Sequence, residues 1–314
     1  TSATDTEVIV HLLHRSLAIG GSLLQAMQQT VAKLEGAYAL AAIDTQNPDT
    51  VVGARKGSPL VVGVGIGENF LASDTMALRQ VTDRFIYLEE ADLVCITPAS
   101  VQVYSADGRE VKRPIARIEE GLEAADMGDF EHYMIKEIFE QPEALEATFA
   151  GAINAQKIEE RFGPAAPALF DQVKKVQIVA CGTSFHAGMV ARYWLEEIAG
   201  VSCVVEVASE FRYRKRVQHA GTLLVVISQS GETADTLAAL RNASAGEFIG
   251  SLVVSNVDNS SLVRECDLVF LTRAGIEIGV ASTKAFTTQL VALLMLTLAL
   301  GRRRELPDSR QQDI

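Results

Sequence analysis

The chain has 314 residues, a length that suggests about two domains. Apolar residues make up 48% and charged residues 22%, which excludes a mainly disordered, collagen-like or disulfide-stapled chain. The formal net charge is −12, and an acidic chain repels phosphate backbones, which argues against nucleic acid as a partner.

Two helices are predicted at the beginning of the chain. Asp5 and Thr6 are candidate N-caps for a helix over residues 7–17, because their side-chain oxygens can accept hydrogen bonds from free backbone N–H groups. Two glycines and a serine at residues 20–22 interrupt the pattern. Helical apolar spacing then resumes over residues 23–34, so a second helix is expected there.

Short apolar runs follow over residues 37–104. They read AYALAAI, TVVGAR, PLVVGVG, FLAS, FIYLE, LVCIT and VQVYS, and Gly, Pro, Asn and Asp separate them at short intervals. This pattern is typical of antiparallel strands in an α+β domain, with one short helix near residues 75–81. Residues 114–129 are polar and acidic, which predicts a linker.

The second half of the chain alternates strands and helices. Helical patterns run to Val173, and VQIVAC, CVVEV, TLLVVIS, GSLVVSN and DLVFL then read as buried strands with helices between them. This alternation predicts a doubly wound parallel sheet. A last helix is expected from Ser282. Its apolar run over residues 290–300 has about half the length that crosses a bilayer, which indicates a buried helix.

Three hydroxyl-rich segments stand where predicted helices begin. CGTS (residues 181–184) and SQSGET (residues 228–233) each follow a strand, and VASTK (residues 280–284) opens the last helix. Free N–H groups at a helix start and nearby hydroxyls can bind a phosphate, although a single Ser or Thr there is usually only a cap. The chain has no GxGxxG and no GxxxxGK[ST], so a dinucleotide or nucleoside triphosphate is disfavoured.

These segments carry a family resemblance. CGTS, SQSGET and EIGVASTKAFTTQ (residues 277–289), in this order, resemble the sugar isomerase (SIS) domain of the glucosamine-6-phosphate synthase family, the isomerizing glutamine–fructose-6-phosphate aminotransferases. ASEFRYR (residues 208–214) and HYMIKEIFEQP (residues 132–142) are similar to further parts of the family. TDTEV (residues 4–8) resembles the second half of its glutaminase domain.

The resemblance implies an α/β chain in which a truncated α+β N-terminal-nucleophile glutaminase portion precedes a doubly wound parallel-sheet SIS domain. The expected boundaries are 1–113 for the C-terminal part of a type 2 glutamine amidotransferase (glutaminase) domain, 114–130 for the linker, and 131–314 for the first SIS domain with its leading helices. The complete enzyme would hydrolyse glutamine, pass the ammonia to fructose-6-phosphate and isomerise the product to glucosamine-6-phosphate.

The resemblance also implies a phosphosugar pocket. Phosphate contacts are expected from Thr183, Ser228, Gln229, Ser230 and Thr233, sugar contacts from Gly182, Ser184, Val280 and Ser282, and a place for Cys181 at the pocket edge. Asp5 corresponds to the aspartate that holds the α-amino group of glutamine. From the residues alone, Cys181 reads as a buried thiol and Asp5 as an N-cap.

The departures from the family lead us to expect a central fragment. The CGI opening with its nucleophilic Cys is not present, and Thr1 is not expected to replace it. A second SIS domain, which carries the family's catalytic lysine, glutamate and histidine, is not present either. We therefore expect no catalytic residue in this chain and negligible synthase activity from it alone. The alternatives are a non-catalytic phosphosugar sensor and an enzyme that deglycates amino sugars.

Other expectations concern partners and surroundings. The resemblance implies a reaction that needs no cofactor and no metal. The family suggests a homodimer, and the sequence predicts no nucleic-acid and no membrane partner. Four scattered cysteines and no visible signal peptide fit the cytoplasm. The pair His11 and His14 has no third metal ligand in view, and the basic cluster at residues 212–216 is expected to form salt bridges, either within the chain or across a dimer.

Overall fold

The structure is a computed structural model, and it describes residues 4–79, 81–117, 127–150, 158–217, 219–243 and 246–304. The chain divides into two compact units, residues 1–123 and residues 124–314. Each unit has its own hydrophobic core.

Two helices begin the first unit, as the sequence predicts. They are α1 (Asp5–Ala18) and α2 (Leu23–Val31). The N-cap of α1 is Thr4, so the prediction of Asp5 or Thr6 at that position is wrong by one or two residues. Helix α2 ends three residues before the predicted end. Ser22 starts α2 with a reciprocal pair of bonds, because its hydroxyl accepts from the Gln25 N–H while the Gln25 side chain accepts from the Ser22 N–H.

Removing this capping box should destabilise the first unit modestly. We expect Ser22→Ala to lower the free energy of unfolding of that unit by about 1 kcal/mol, because the Gln25 N–H loses its acceptor, the Ser22 hydroxyl. Gln29→Ala, an exposed substitution within the same helix, should change it by less than about 0.5 kcal/mol. Urea denaturation followed by circular dichroism measures both. Equal effects of the two substitutions would contradict the capping role.

Among the described residues of the first unit, nine strands form two antiparallel sheets. One sheet has the order β1-β2-β6-β7-β8 and the other β4-β3-β5-β9. Their bounds are β1 (Tyr38–Asp44), β2 (Asn47–Lys56), β3 (Val61–Val64), β4 (Asn69–Ala72), β5 (Arg84–Tyr87), β6 (Leu93–Ile96), β7 (Val101–Tyr104), β8 (Glu110–Val111) and β9 (Ile115–Arg117). The predicted short helix is a 3-10 turn over Thr75–Leu78.

The predicted linker begins too early. Ile115–Arg117 form β9 and pair with β5, with Ile86 opposite Ile115 and Arg84 opposite Arg117. The acidic run starts only after this strand, at residue 118, and Ile115–Arg117 form a short edge strand of the sheet. The rest of the predicted linker up to residue 126 lies outside the described residues.

Two of the three hydrophobic clusters among the described residues of the first unit contain most of its core. One packs α1 and α2 against the first sheet through residues such as Leu13, Met27 and Val52. The other contains Leu60, Val62 and residues of β5, β6 and β7, which all belong to one buried cluster drawn from both sheets. Alternation of buried and exposed side chains along antiparallel strands produces these clusters.

The second unit contains one five-stranded parallel sheet with helices around it. Its elements are α3 (Tyr133–Phe139), α4 (Gln141–Phe149), a 3-10 turn (Ile158–Phe162), α5 (Ala166–Phe170), β10 (Lys175–Ala180), α6 (Gly182–Glu197), β11 (Ser202–Val207), α7 (Ala208–Phe211), β12 (Thr222–Ser228), α8 (Ala234–Arg241), β13 (Gly250–Ser255), α9 (Ser261–Glu265), β14 (Leu268–Leu271) and α10 (Lys284–Arg302). The strand order is β11-β10-β12-β13-β14, and all neighbouring pairs are parallel.

Both faces of this sheet are covered, which confirms the predicted doubly wound arrangement. Alternate residues of each strand point to opposite faces, so Ile178 and Val225 join one buried cluster with α6 and α10, while Val179 and Val226 join another with α7, α8 and α9. The strands are buried on both sides, and this explains their nearly continuous apolar runs.

The long apolar helix α10 lies in the core. By length and composition alone it could cross a membrane, but 67% of its apolar window is buried inside the structure. Leu293, Leu296 and Leu300 are among its residues in the main cluster, and α10 packs against α6 and α4. The interpretation of residues 290–300 as a buried helix is confirmed.

Candidate functional site

The carboxyl edge of the parallel sheet brings two of the three hydroxyl-rich segments together. Ala180 of β10 lies opposite Ile227 of β12, so Cys181 and Ser228 follow at the ends of neighbouring strands. The sheet order reverses between these strands, because the chain leaves β10 for β11 on one side and continues from β12 toward β14 on the other. Ligands of open parallel sheets bind outside the carboxyl ends of the strands at such a switch point.

CGTS forms the start of α6. Cys181 is the N-cap residue in extended conformation, and its side chain makes no capping hydrogen bond. Gly182 has a φ of +57°, a conformation that favours glycine. Thr183 is exposed, whereas Ser184 is only 7% exposed. The first backbone N–H groups of this 16-residue helix therefore stand uncapped by Cys181 at the switch point, with one hydroxyl outside and one beneath the surface.

SQSGET is a turn that its own hydroxyls hold in shape. The Oγ of Ser228 lies 2.8 Å from Oγ1 of Thr233 and accepts a hydrogen bond from the Gly231 N–H at 3.0 Å. The Oγ of Ser230 accepts from the Glu232 N–H at 3.2 Å. Helix α8 follows, and the side chain of its N-cap Thr233 makes no capping bond. The turn thus presents hydroxyls and a second open helix start beside CGTS.

The loop after β13 packs closely against this turn. Gly231 has a φ of +66°, and a Cβ there would lie 2.0 Å from Oγ of Ser260. Oε1 of Glu232 accepts from the Ser261 N–H at 2.6 Å, and the Asn256 N–H donates to the Gln229 carbonyl at 3.1 Å. Tertiary packing therefore constrains the shape of SQSGET in addition to its internal bonds.

Asn256 connects this turn with the chain that leads from β14 toward the third segment. Its Oδ1 accepts from the Ala274 N–H at 2.7 Å, and its Nδ2 donates to the Gly275 carbonyl at 2.6 Å. The chain that leaves β14 thereby crosses the carboxyl end of β13. Asn256 was not among the residues predicted from the sequence. The available signal was its position, because it is the first polar side chain after a buried parallel strand that ends in Ser255.

The side chain of Glu277 lies at the start of the last helix, although the residue itself precedes that helix in the chain. Its Oε1 accepts from the N–H groups of Thr283 at 2.8 Å and Ala285 at 3.1 Å, and Oγ of Ser282 donates to its Oε2 at 3.1 Å. The expectation that this helix start offers free N–H groups to a phosphate is therefore wrong, because a carboxylate already satisfies two of them and would repel a second anion. Val280, by contrast, is fully exposed.

A buried ion pair follows this segment. Lys284 is 4% exposed, and its Nζ lies 2.6 Å from Oε2 of Glu140, while Nζ of Lys136 lies 3.3 Å from Oε1. Burial by itself would raise the pKa of Glu140. The hydrogen bond and charge of Lys284, with the charge of Lys136, outweigh burial and lower that pKa below its usual range. This pair ties α10 to the end of α3 and the start of α4.

The predicted glutamine-binding residue can be located only along the backbone. Asp5 is the first residue of α1, and its side chain lies outside the described part of the structure, as does Thr1. His11 and His14 are exposed, and Nε2 of His11 lies 3.4 Å from Oε1 of Glu7. Among the described residues, no group of three or more His, Cys, Asp or Glu side chains could hold a metal ion.

The four cysteines are all free thiols. Burial raises the pKa of Cys203 and of Cys266 to about 12, so neither is a thiolate near neutral pH. Burial also raises the pKa of Cys95. Cys181 differs in position, because it is half-buried at the end of β10, next to the switch point.

The basic cluster at residues 212–216 forms ion pairs within the chain, which confirms the expectation of salt bridges there. Arg212 lies 2.7 Å from Asp235, Arg214 binds Glu206, and Arg216 lies 2.6 Å from Glu247. A cavity of about 200 Å³ beneath this cluster is lined by Lys175 and Thr222, which are the first residues of β10 and β12. It lies at the amino edge of the sheet, away from the hydroxyl-rich segments.

Comparison with known proteins agrees with this geometry. Residues 169–299 match the family described as SIS domain. The chain is 61% identical over 302 residues to the isomerizing glutamine–fructose-6-phosphate aminotransferase of Pseudomonas syringae pv. tomato, covering 96% of this chain and 49% of that protein. It is 58% identical to the enzyme of the same name from Pseudomonas aeruginosa, covering 100% of this chain and 52% of that protein.

A solved structure is also similar. It is the C-terminal domain of glucosamine-fructose-6-phosphate aminotransferase from Francisella tularensis, with 52% sequence identity and a TM-score of 0.56 over 58% of this chain and 52% of that one. The chain thus spans about half the length of the curated relatives it matches. The match to the SIS domain family covers residues 169–299, and the similarity to the aminotransferases extends over nearly the whole chain.

Proposed function

We propose that the second unit binds fructose-6-phosphate and its product glucosamine-6-phosphate. The observation that carries this proposal is the register of β10 and β12, which sets CGTS beside SQSGET at the switch point of the sheet. Two helix starts without capping side chains and several hydroxyls then face one edge. This is a phosphate-binding arrangement that needs no Lys or Arg, and it suits an acidic protein.

The phosphate is assigned to the SQSGET turn and the start of α6. Ser228, Ser230 and Thr233 supply hydroxyls, and Thr183 supplies another from the neighbouring strand end. Gln229 lies beside the phosphate. The bond between Ser228 and Thr233 already holds both hydroxyls in the turn, so little order is lost on binding.

The sugar is assigned to the other side of the site. Gly182 and Ser184 lie at the start of α6, and Val280 and Ser282 belong to the segment before α10. Ser184 is buried, so its contribution would come from beneath the sugar. Cys181 would lie at the edge of the pocket that ammonia reaches.

For the whole protein we propose the activity in the relatives' name. It would transfer the amino group of glutamine to fructose-6-phosphate and isomerise the product to glucosamine-6-phosphate, without a cofactor or a metal. The first unit would be the latter part of a glutaminase domain, in which Asp5 holds the α-amino group of glutamine. The leading helices α3 and α4 would belong to the SIS domain. A cytoplasmic homodimer, with no nucleic-acid or membrane partner, completes the proposal.

A thermal-shift experiment tests the phosphosugar site. Fructose-6-phosphate at about 100 times its Kd should raise the Tm of the second unit by about 5 °C, because it binds the folded state only. The double variant Ser230→Ala/Thr233→Ala should lose this shift. Ser202→Ala should keep the shift, because Ser202 is an exposed serine at the amino end of β11, away from the carboxyl edge of the sheet. Differential scanning fluorimetry measures all three.

Two results would contradict the proposal. An unchanged shift in the double variant would locate the phosphate away from SQSGET. The absence of a shift in the unsubstituted chain would argue against fructose-6-phosphate as its ligand. Glucose and inorganic phosphate, tested separately, show which part of the sugar phosphate contributes.

A further inference from the structure

The segment before α10 is held from outside by a carboxylate far away in the chain. Oε1 of Glu137, in α3, accepts from the N–H groups of Ile278 at 2.6 Å and Gly279 at 2.9 Å. Glu137 is 2% exposed, and its Oε2 is buried with no hydrogen-bond partner among the described residues. Burying a carboxylate costs free energy unless hydrogen-bond donors compensate it. The two backbone N–H groups are such donors for Glu137.

A second carboxylate holds the other end of the same segment. Glu277 accepts from the N–H groups of Thr283 and Ala285 and from the Ser282 hydroxyl. The exposed residues Val280 and Ala281 lie between the two anchored ends. The segment is therefore a short loop whose ends are fixed and whose tip faces outward.

We propose that Glu137 is a positioning residue for sugar binding. This role rests on the proposed function, in which Val280 at the tip and Ser282 at its anchored end line the sugar. Glu137 holds the loop in the conformation that receives the sugar, so the free energy of binding does not include the cost of ordering the loop. The two carboxylates also disfavour a phosphate dianion at this segment, so they orient the ligand with its phosphate at SQSGET.

Gly279 fits this role. A Cβ at this position would lie 2.5 Å from Oε2 of Glu137. Since its φ is not in the left-handed region, alanine meets no backbone strain here, and its effect would come from displacing the Glu137 carboxylate. Gly279→Ala therefore perturbs the same contact as Glu137→Ala from the opposite side.

Calorimetric titration of the full 314-residue chain tests the proposal with two probes. Glu137→Ala should weaken binding of fructose-6-phosphate about tenfold, since one or two loop residues must then be ordered on binding. Binding of inorganic phosphate should stay within about twofold of the unsubstituted chain, because SQSGET is untouched. Glu137→Gln, which keeps an oxygen acceptor, should recover most of the lost affinity.

The controls separate positioning from folding. Glu143→Ala removes the same charge from an exposed site in α4 and should leave both affinities unchanged. Gly279→Ala should weaken fructose-6-phosphate binding in the unsubstituted chain but add nothing in the Glu137→Ala background, because both changes break one contact. If Glu137→Ala does not fold, the two single variants Gly279→Ala and Glu137→Gln still test the role. Gly279→Ala should weaken binding of fructose-6-phosphate, and Glu137→Gln should retain most of it.

The outcomes are distinct. Unchanged affinity for fructose-6-phosphate in Glu137→Ala, with the unsubstituted chain binding normally, overturns the positioning role and leaves the proposed function intact. Equal loss for fructose-6-phosphate and inorganic phosphate also overturns it, since that is general damage to the domain. An unsubstituted chain that binds no fructose-6-phosphate overturns the proposed function, and this inference with it.

Discussion

Replacing Gly231 with alanine should lower the free energy of unfolding of the second unit by about 3 kcal/mol, from backbone strain and steric overlap together. The left-handed φ of +66° accounts for part of the loss. The larger part comes from the new Cβ, which would lie 2.0 Å from Oγ and 2.4 Å from Cβ of Ser260. The loop after β13 must then move away from the SQSGET turn.

The same substitution should abolish binding of fructose-6-phosphate. The Gly231 N–H donates to Oγ of Ser228, so movement of this residue disturbs the hydroxyl that also contacts Thr233. Urea unfolding and calorimetric titration measure the two effects.

Gly200→Ala is the matched control for Gly231→Ala. Gly200 has a φ of +63°, but nothing lies within 4 Å of its Cβ position. Strain alone should therefore cost about 1 kcal/mol, and ligand binding should persist. If the two alanine variants lost the same stability, the close approach of Ser260 would not be the cause.

Replacing Lys284 with methionine should also lower the free energy of unfolding of the second unit substantially. Methionine retains the apolar stem but removes the ammonium that lies 2.6 Å from Glu140. Breaking a buried ion pair costs about 3–5 kcal/mol, and we expect about 2 kcal/mol here because Glu140 is partly exposed and keeps Lys136. Lys174→Met, at an exposed position, should change the free energy of unfolding by less than about 0.5 kcal/mol.

The Lys284 effect should depend on pH in a definite direction. The folded-state pKa of Glu140 is lowered relative to that of an unfolded glutamate, so its stabilisation is complete above the unfolded pKa of about 4.3. It is lost as the pH falls through the folded pKa, because Glu140 then becomes protonated. The stability difference between the unsubstituted chain and Lys284→Met should therefore be constant from pH 8 to about 5 and shrink below about 4. A difference that grew on acidification would contradict the ion pair.

Local patterns in the sequence predicted most of the secondary structure. The five apolar runs between residues 175 and 271 form β10 to β14, because continuous apolar stretches suit a sheet that is buried on both faces. Ser22 ends a glycine break and caps α2 through Gln25, three residues later. The errors are at element ends. Thr4 rather than Asp5 is the N-cap of α1, and β9 extends the first unit past residue 113, because a cap or an edge strand needs few specific side chains.

The hydroxyl-rich segments illustrate the limit of local patterns at the site. Their composition predicted anion binding, but composition does not say which N–H groups are still available after folding. The starts of α6 and α8 carry no cap from their N-cap side chains, whereas Glu277 satisfies the start of α10. A carboxylate six residues before Thr283 gave no signal by itself, since acidic residues in loops are usually solvated.

The sequence alone determined the strand and helix alternation and the buried α10, because these depend on hydrophobic periodicity and turn chemistry over a few neighbouring positions. Only the tertiary structure decided which strand ends are neighbours, that Ser260 leaves room only for glycine at residue 231, and that Glu137 reaches Ile278. These contacts join residues distant in the chain, and they depend on how packed layers align in space, which no local periodicity specifies.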